Sequence, residues 1–252
     1  MKQYIKDNWK FLLFVLIGGT IGGYCIGSST YDTLSAEMLA ELNKQNVTKE
    51  MVSISTMFQY GILFGLILAG AGIVTAKKVD LWKRFEFNKK AAITTAVISV
   101  VSALLLFPGD KLIFGSFNSW VNDLYTVTPT IEKILGETLV GGIIEEVMMR
   151  LFLMSLLVLI GSKVFNKDKK DIPEKIYVTA NVISALLFAA GHIPATIAMT
   201  ALTPVLLLRC FIFNGGLGLC FGYLYRKYNL GCAMIAHGAA HLISDILMMI
   251  FI

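Results

Sequence analysis

Long apolar runs, separated by short polar segments, constrain this chain more than any other feature. About seven of them can be drawn, at residues 11–27, 57–76, 91–107, 134–160, 176–190, 204–224 and 232–252. A helix needs roughly 20 apolar residues to cross the hydrocarbon of a bilayer, and most of these runs are close to that length. The fourth is long for one crossing and carries acidic residues, which suggests that it begins in the interface. Composition points the same way. Of 252 residues 56% are hydrophobic, the mean hydropathy is +0.71 and only 15% are charged, against about 25% in soluble domains. A soluble core of this size could not hide so much apolar side chain. The expected fold is an all-α, polytopic transmembrane helix bundle, one integral membrane domain over residues 1–252.

The net charge of +5 is no nucleic-acid signal, because the basic residues sit between apolar runs. Lys2, Lys6 and Lys10 precede the first run. Lys77, Lys78, Lys83, Arg84, Lys89 and Lys90 follow the second. Lys163, Lys167, Lys169, Lys170 and Lys175 follow the fourth against Asp168, Asp171 and Glu174, and Arg226 and Lys227 follow the sixth. The alternate loops, 29–56, 108–131 and 191–203, are poor in Lys and Arg. Basic loops stay in the cytoplasm, so the N-terminus is expected there and the C-terminus outside. The first run lacks a clear A-x-A cleavage site and is read as retained. Cys25, Cys210, Cys220 and Cys232 lie in apolar runs without metal or redox spacing and read as small packing residues.

Ionisable residues inside apolar runs are costly, about 2.5–3.5 kcal/mol each near the bilayer centre, and so they usually serve a function. This chain places them selectively. The fourth run contains Gly141-Gly142-Ile143-Ile144-Glu145-Glu146-Val147-Met148-Met149-Arg150, the fifth leads into Phe188-Ala189-Ala190-Gly191-His192, and the seventh contains His237-Gly238-Ala239-Ala240-His241 with Asp245 one turn on. All three histidines of the chain lie in these surroundings. Adjacent helical residues point about 100° apart, so Glu145 and Glu146 cannot both face one site squarely. Glu146 and Arg150 are four apart and can pair, which leaves Glu145 free as a general base or acid. His237, His241 and Asp245 recur every four residues on one face. Two histidines at this spacing can bind one zinc, although H-E-x-x-H is absent because Gly238 follows His237.

At these residues the chain resembles the CPBP family of membrane-embedded CAAX-prenyl-protease and bacteriocin-processing enzymes, also called Abi. The family pattern is E-E-x-x-x-R, then F-x-x-x-H, then H-x-x-x-N or a close variant. Here it reads Glu145-Glu146-x-x-x-Arg150, Phe188-x-x-x-His192 and His237-x-x-x-His241, with residues 216–225 resembling the glycine-containing helix before the last motif. The resemblance spans roughly 131–252, which makes that segment the expected catalytic core and 1–130 accessory spans. It implies glutamate-dependent, metal-assisted hydrolysis of a peptide or membrane-associated protein within the bilayer. Glu145 would activate water. His192 would position that water or bind metal, and His237 and His241 would bind metal or stabilise the oxyanion. The expected metal is a divalent ion, zinc, on His192, His237 and His241. Glu146, Arg150, Phe188 and Asp245 would support them. His241 stands where the commoner pattern has Asn.

Small size and short loops suggest a bacterial plasma-membrane protein. Two other readings compete. A non-proteolytic bacteriocin self-immunity protein or membrane scaffold with the same fold would tolerate loss of Glu145. A transporter would need repeated halves, and none is evident. The run limits also set His192 near one end of its helix and His237 near the other end of its own. Either longer helices or re-entry of residues 193–204 would reconcile them.

Overall fold

The computed structural model describes residues 2–166 and 171–252, without the side chains of residues 2–5. Lys167, Asp168, Lys169 and Lys170 of the fourth basic segment, and the side chain of Lys2, lie outside the described residues. The apolar runs are helical throughout: α1 (Lys2–Tyr31), the short α2 (Ala36–Lys44), α3 (Lys49–Lys78), α4 (Lys89–Ile113), the short α5 (Ser119–Asp123), α6 (131–165), α7 (Glu174–Met199), α8 (Pro204–Lys227) and α9 (Leu230–Phe251). Among the described residues there is no strand. Six helices there are long and apolar enough to cross a membrane: α1 from Lys6 onward, α3, α4, α7, α8 and α9. The remaining long helix, α6, holds Glu137, Glu145, Glu146 and Arg150 and is packed on by α1, α3, α7 and α9. It is the axle of the bundle.

Polar side chains set where the helices start. Ser35, Thr48, Asn88, Thr130, Thr203 and Asn229 each accept a hydrogen bond from the backbone N–H three residues on, which satisfies one of the amides that a helix leaves free at its first turn. Pro204 then occupies the first turn of α8, where its missing N–H costs nothing.

The largest revision to the sequence reading concerns α7. Its helical path does not stop at residue 190 but continues through His192 (φ −85°, ψ −13°) into Ile193–Met199. Residues 193–199 therefore extend the helix, and His192 sits about two turns from its end. That longer helix removes the mismatch in depth with His237.

Small residues let α1 approach closely. Gly18 and Gly22 face α6, where a β-carbon on Gly22 would sit 2.8 Å from Leu139 Cβ. Gly19, Gly23 and Gly27 face α3, where a β-carbon on Gly19 would sit 2.6 Å from the Tyr60 carbonyl oxygen. These are small-xxx-small contacts, the usual means of close helix packing where lipid removes the hydrophobic drive. The apolar core joins both halves of the chain, with Val15, Ile73, Ile144, Leu151, Phe221 and Leu224 in one cluster.

The basic segments gather at one end. Lys83 donates to the Arg226 carbonyl at 2.5 Å, Tyr177 donates to the Val79 carbonyl, and Arg226 pairs with Glu174 while lying over the Tyr177 ring. Burial first, and then Arg226, hold the Lys83 ammonium below its ordinary pKa. At the opposite end Asp110, fully buried, receives Arg209 Nε at 2.9 and 2.8 Å and the Tyr125 hydroxyl at 2.5 Å. Burial, and then the Asp110 charge, raise the Tyr125 phenol. This triad clamps the 114–130 loop onto α4 and α8. Arg209→Leu would strand a buried carboxylate and is expected to cost about 3 kcal/mol of stability, read as a lower unfolding temperature in detergent. An unchanged midpoint would mean that Asp110 does not depend on Arg209.

Candidate active site

The site is assembled from α6, α7 and α9, with α8 as a wall. The middle of α6 is wound wider than an α-helix, as π-helix over Val140–Glu145 and Val147–Met154; such turns often accompany functional sites. Gly141 and Gly142 make the close approach to α9 possible. A β-carbon on Gly142 would lie 2.8 Å from Gly238 Cα, and one on Gly141 would lie 2.9 Å from His241 Cδ2 and 3.2 Å from His237 Nε2. The second glycine therefore seats α9, and the first keeps space in front of the two imidazoles.

The two glutamates divide as the helix geometry requires. Glu146 turns inward, fully buried, with Arg150 Nη1 3.0 Å from its Oε1 and His237 Nδ1 at 2.8 Å from the same atom. Arg150 is held further by donating to the Gly218 carbonyl at 2.9 Å, and it lies between the rings of Phe188 and Phe221, 5.1 and 5.6 Å from their centroids. These contacts meet part of the bonding capacity that a buried pair must satisfy, while Glu146 Oε2 and Arg150 Nη1 are buried without a hydrogen-bond partner. Glu145 faces the other side and is partly exposed. Its Oε1 is 3.8 Å from His192 Nε2 and its Oε2 is 3.7 Å from His237 Nε2. Both distances exceed hydrogen-bond length. Two imidazoles thus flank the carboxylate without bonding to it, a spacing that suits an intervening water.

The remaining contacts fix the rings. His192 Nδ1 is 2.9 Å from the Phe188 carbonyl, an acceptor, so that nitrogen donates and Nε2 presents its lone pair towards Glu145. His237 Nδ1 likewise donates to Glu146, and Phe221 stacks on its ring at 4.4 Å. Phe188 packs edge-on to His192 at 4.7 Å. His241 Nε2 is 3.3 Å from His237 Nε2. Glu145, Glu146, Arg150, Phe188, His192, His237 and His241 are therefore one connected cluster. Asp245 is buried on the same helix but contacts Lys133 at 3.0 Å.

Three residues around the cluster were not singled out from the sequence: Glu137, Lys133 and Phe221. Glu137, one turn before Gly141, lies 3.5 Å from His241 Nδ1, and Lys133 bridges Glu137 and Asp245 at 3.0 Å each. The signal was present as a ladder at four-residue spacing, Lys133, Glu137, Gly141 and Glu145. Phe221 was visible only as part of a glycine-containing stretch.

As a metal site the cluster fits less well. Among the described residues no three His, Cys, Asp or Glu side chains converge as ligands. The donors run as a chain, His192 to Glu145 to His237 to His241, rather than around one point.

The ordered E-E-x-x-x-R, F-x-x-x-H and H-x-x-x-H motifs converge in space, and a family comparison agrees with them. The family model described as type II CAAX prenyl endopeptidase Rce1-like matches residues 127–243. Over that segment the chain is similar to the Rce1-like family. The Rce1-like segment holds α6, α7, α8 and most of α9, and so every member of the cluster; Asp245 lies just past it. At family level this is an integral membrane protein related to CAAX-processing endopeptidases. No curated protein and no solved structure matches the chain.

Proposed function

We propose that this chain is an intramembrane endopeptidase in which Glu145 activates water against a peptide bond. The observation that carries the reading is Glu145 itself: a carboxylate between two imidazoles, close to both and bonded to neither. A water entering there gives one hydrogen to Glu145 and the other to the His192 Nε2 lone pair, leaving an oxygen lone pair for the scissile carbonyl. As the C–O bond forms, the proton passes to Glu145. When the C–N bond breaks, the same carboxyl returns it to the leaving amine, as a general base acting in turn as general acid. The developing oxyanion needs a donor from α9. Glu146 and Arg150 touch neither reactant and serve to hold His237.

The expected substrate is a peptide or membrane-associated protein, with prenylated C-terminal sequences suggested by the family description. The basic end of the bundle is proposed to face the cytoplasm, with the N-terminus on that side. The steps above use only side chains of the chain. Zinc, expected from the three histidines, is tested by elemental analysis together with cleavage in chelator. One zinc per chain, with activity lost in chelator and restored by zinc, would revise the mechanism; unchanged cleavage would leave it standing.

The deciding experiment compares membrane peptides and protein termini, by mass spectrometry, in cells carrying the wild type or Glu145→Ala at equal expression. Fragments that vanish in the variant identify the substrate and support the reading. Identical profiles, with a wild-type phenotype persisting, would point to immunity or scaffolding instead. Gly141→Ala is a milder probe. Its methyl would crowd both α9 imidazoles, and displacements near 1 Å cost about a hundredfold in rate. A variant cleaving at the wild-type rate would show that the space before Gly141 is not used.

A further inference from the structure

The position at which this chain departs from the commoner family pattern has a partner of its own. An Asn side chain offers an N–H donor without help. A neutral imidazole offers one donor and one acceptor, and which nitrogen donates depends on its neighbours. His241 must therefore be directed. Its Nδ1 faces the Glu137 carboxylate at 3.5 Å, and its Nε2 faces the site, 3.3 Å from His237 Nε2. His237 Nε2 is an acceptor, because Nδ1 of that ring already donates to Glu146. The contact between the two rings is met only if His241 Nε2 carries hydrogen.

We propose that Glu137 is a positioning residue, which accepts from His241 Nδ1 and thereby presents His241 Nε2–H to the site as the donor that Asn supplies elsewhere. The arrangement is a carboxylate orienting an imidazole that in turn meets the reacting group, with the carboxylate one turn before the glycine that opens the site. Lys133 holds Glu137 in place at 3.0 Å, and Asp245 shares that ammonium. The groups facing Glu137 are thus Lys133 on its own helix and His241 on α9. The ring itself sits against Gly141, whose missing β-carbon leaves room for Nε2 to turn from His237 to a substrate oxygen. A donor aimed at the position where the oxyanion develops, rather than at the ground-state carbonyl oxygen, is worth rate rather than affinity, so the orientation of this N–H sets rate.

The inference rests on the endopeptidase reading, and the test separates the two. The ratio of Glu145-dependent fragment to precursor is measured in cells at matched expression for wild type, Glu137→Gln, His241→Asn and the double variant. Glu137→Gln keeps the shape of the side chain, and Lys133 retains Asp245, so membrane level and unfolding temperature serve as folding controls. The expected result is a loss of about tenfold or more for Glu137→Gln in the wild-type background, and a change of no more than about twofold when residue 241 is Asn. Such coupling is not produced by a merely structural role, which lowers cleavage equally in both backgrounds and would overturn the proposal. An inactive His241→Asn, or an unaffected Glu137→Gln, would overturn it as well. If Glu145→Ala removes no fragment, the endopeptidase reading fails and this assignment falls with it. If Glu145-dependent cleavage is present without the coupling, only the role of Glu137 is lost.

Discussion

Glu145→Gln is expected to lower peptide cleavage on the order of a thousandfold, within the range for loss of a positioned general base, while the unfolding temperature stays close to that of the wild type. The two halves of this expectation come from one fact. Glu145 sits 3.8 and 3.7 Å from His192 and His237, too far for a hydrogen bond to either. It is partly exposed to the site, so a neutral amide leaves no buried charge behind. The amide keeps the shape and loses the ability to accept water's proton. Purified protein in detergent, assayed on the substrate found in cells, gives the rate; a thermal melt gives the stability. Near-normal cleavage by a folded Glu145→Gln protein would remove the central group of the mechanism.

The converse is expected at Arg150. Arg150→Leu should destabilise the protein by about 3–5 kcal/mol, the usual consequence of removing one member of a buried ion pair. Glu146 would remain, wholly buried, with His237 as the surviving contact to its Oε1. Gly218 would lose the donor to its carbonyl, and Phe188 and Phe221 would lose the cation between them. Changing Glu146 to Gln in the same protein should recover part of the loss, since the stranded charge is then gone. Chemical unfolding of the two variants in a common detergent tests this. Equal stability of wild type and Arg150→Leu would mean that the pair contributes nothing to holding the site, and that Glu146 is accommodated in another way.

Much of the cluster could be read from sequence because ionisable residues are rare in apolar helices. Glu145, Glu146, Arg150, His192, His237 and His241 stood out against Ile, Leu, Val and Ala, and the four-residue spacing of Glu146 and Arg150 matches the pair in the structure. Other features gave a weaker signal for definite reasons. Lys133 and Glu137 lie at the polar edge of an apolar run, where charges are ordinary. Gly191, His192 and Pro194 interrupt the hydropathy of the fifth run and resemble a helix end, yet a proline in the first turn after a slight bend is compatible with a continuing helix. The clamp between Asp110 and Arg209 joins residues that no local pattern relates. Along α1 the glycines at 18, 19, 22, 23 and 27 were visible, but nothing in a single helix says which neighbour each stripe meets.

The reactive cluster has no local existence. Glu145 belongs to one helix, His192 to the next long one, and His237 comes 91 residues after the Glu146 it touches. A ribosome delivers these helices in sequence, and α9 follows both of the others. Until it docks against Gly142, the carboxylate of Glu145 faces a single imidazole and the Glu146–Arg150 pair lacks its third member. On the proposed mechanism, competence as a hydrolase therefore arrives only once α9 has docked. The same docking event would then set both the stability of the Glu146 pair and the assembly of the site, so that a chain with α9 undocked lacks both.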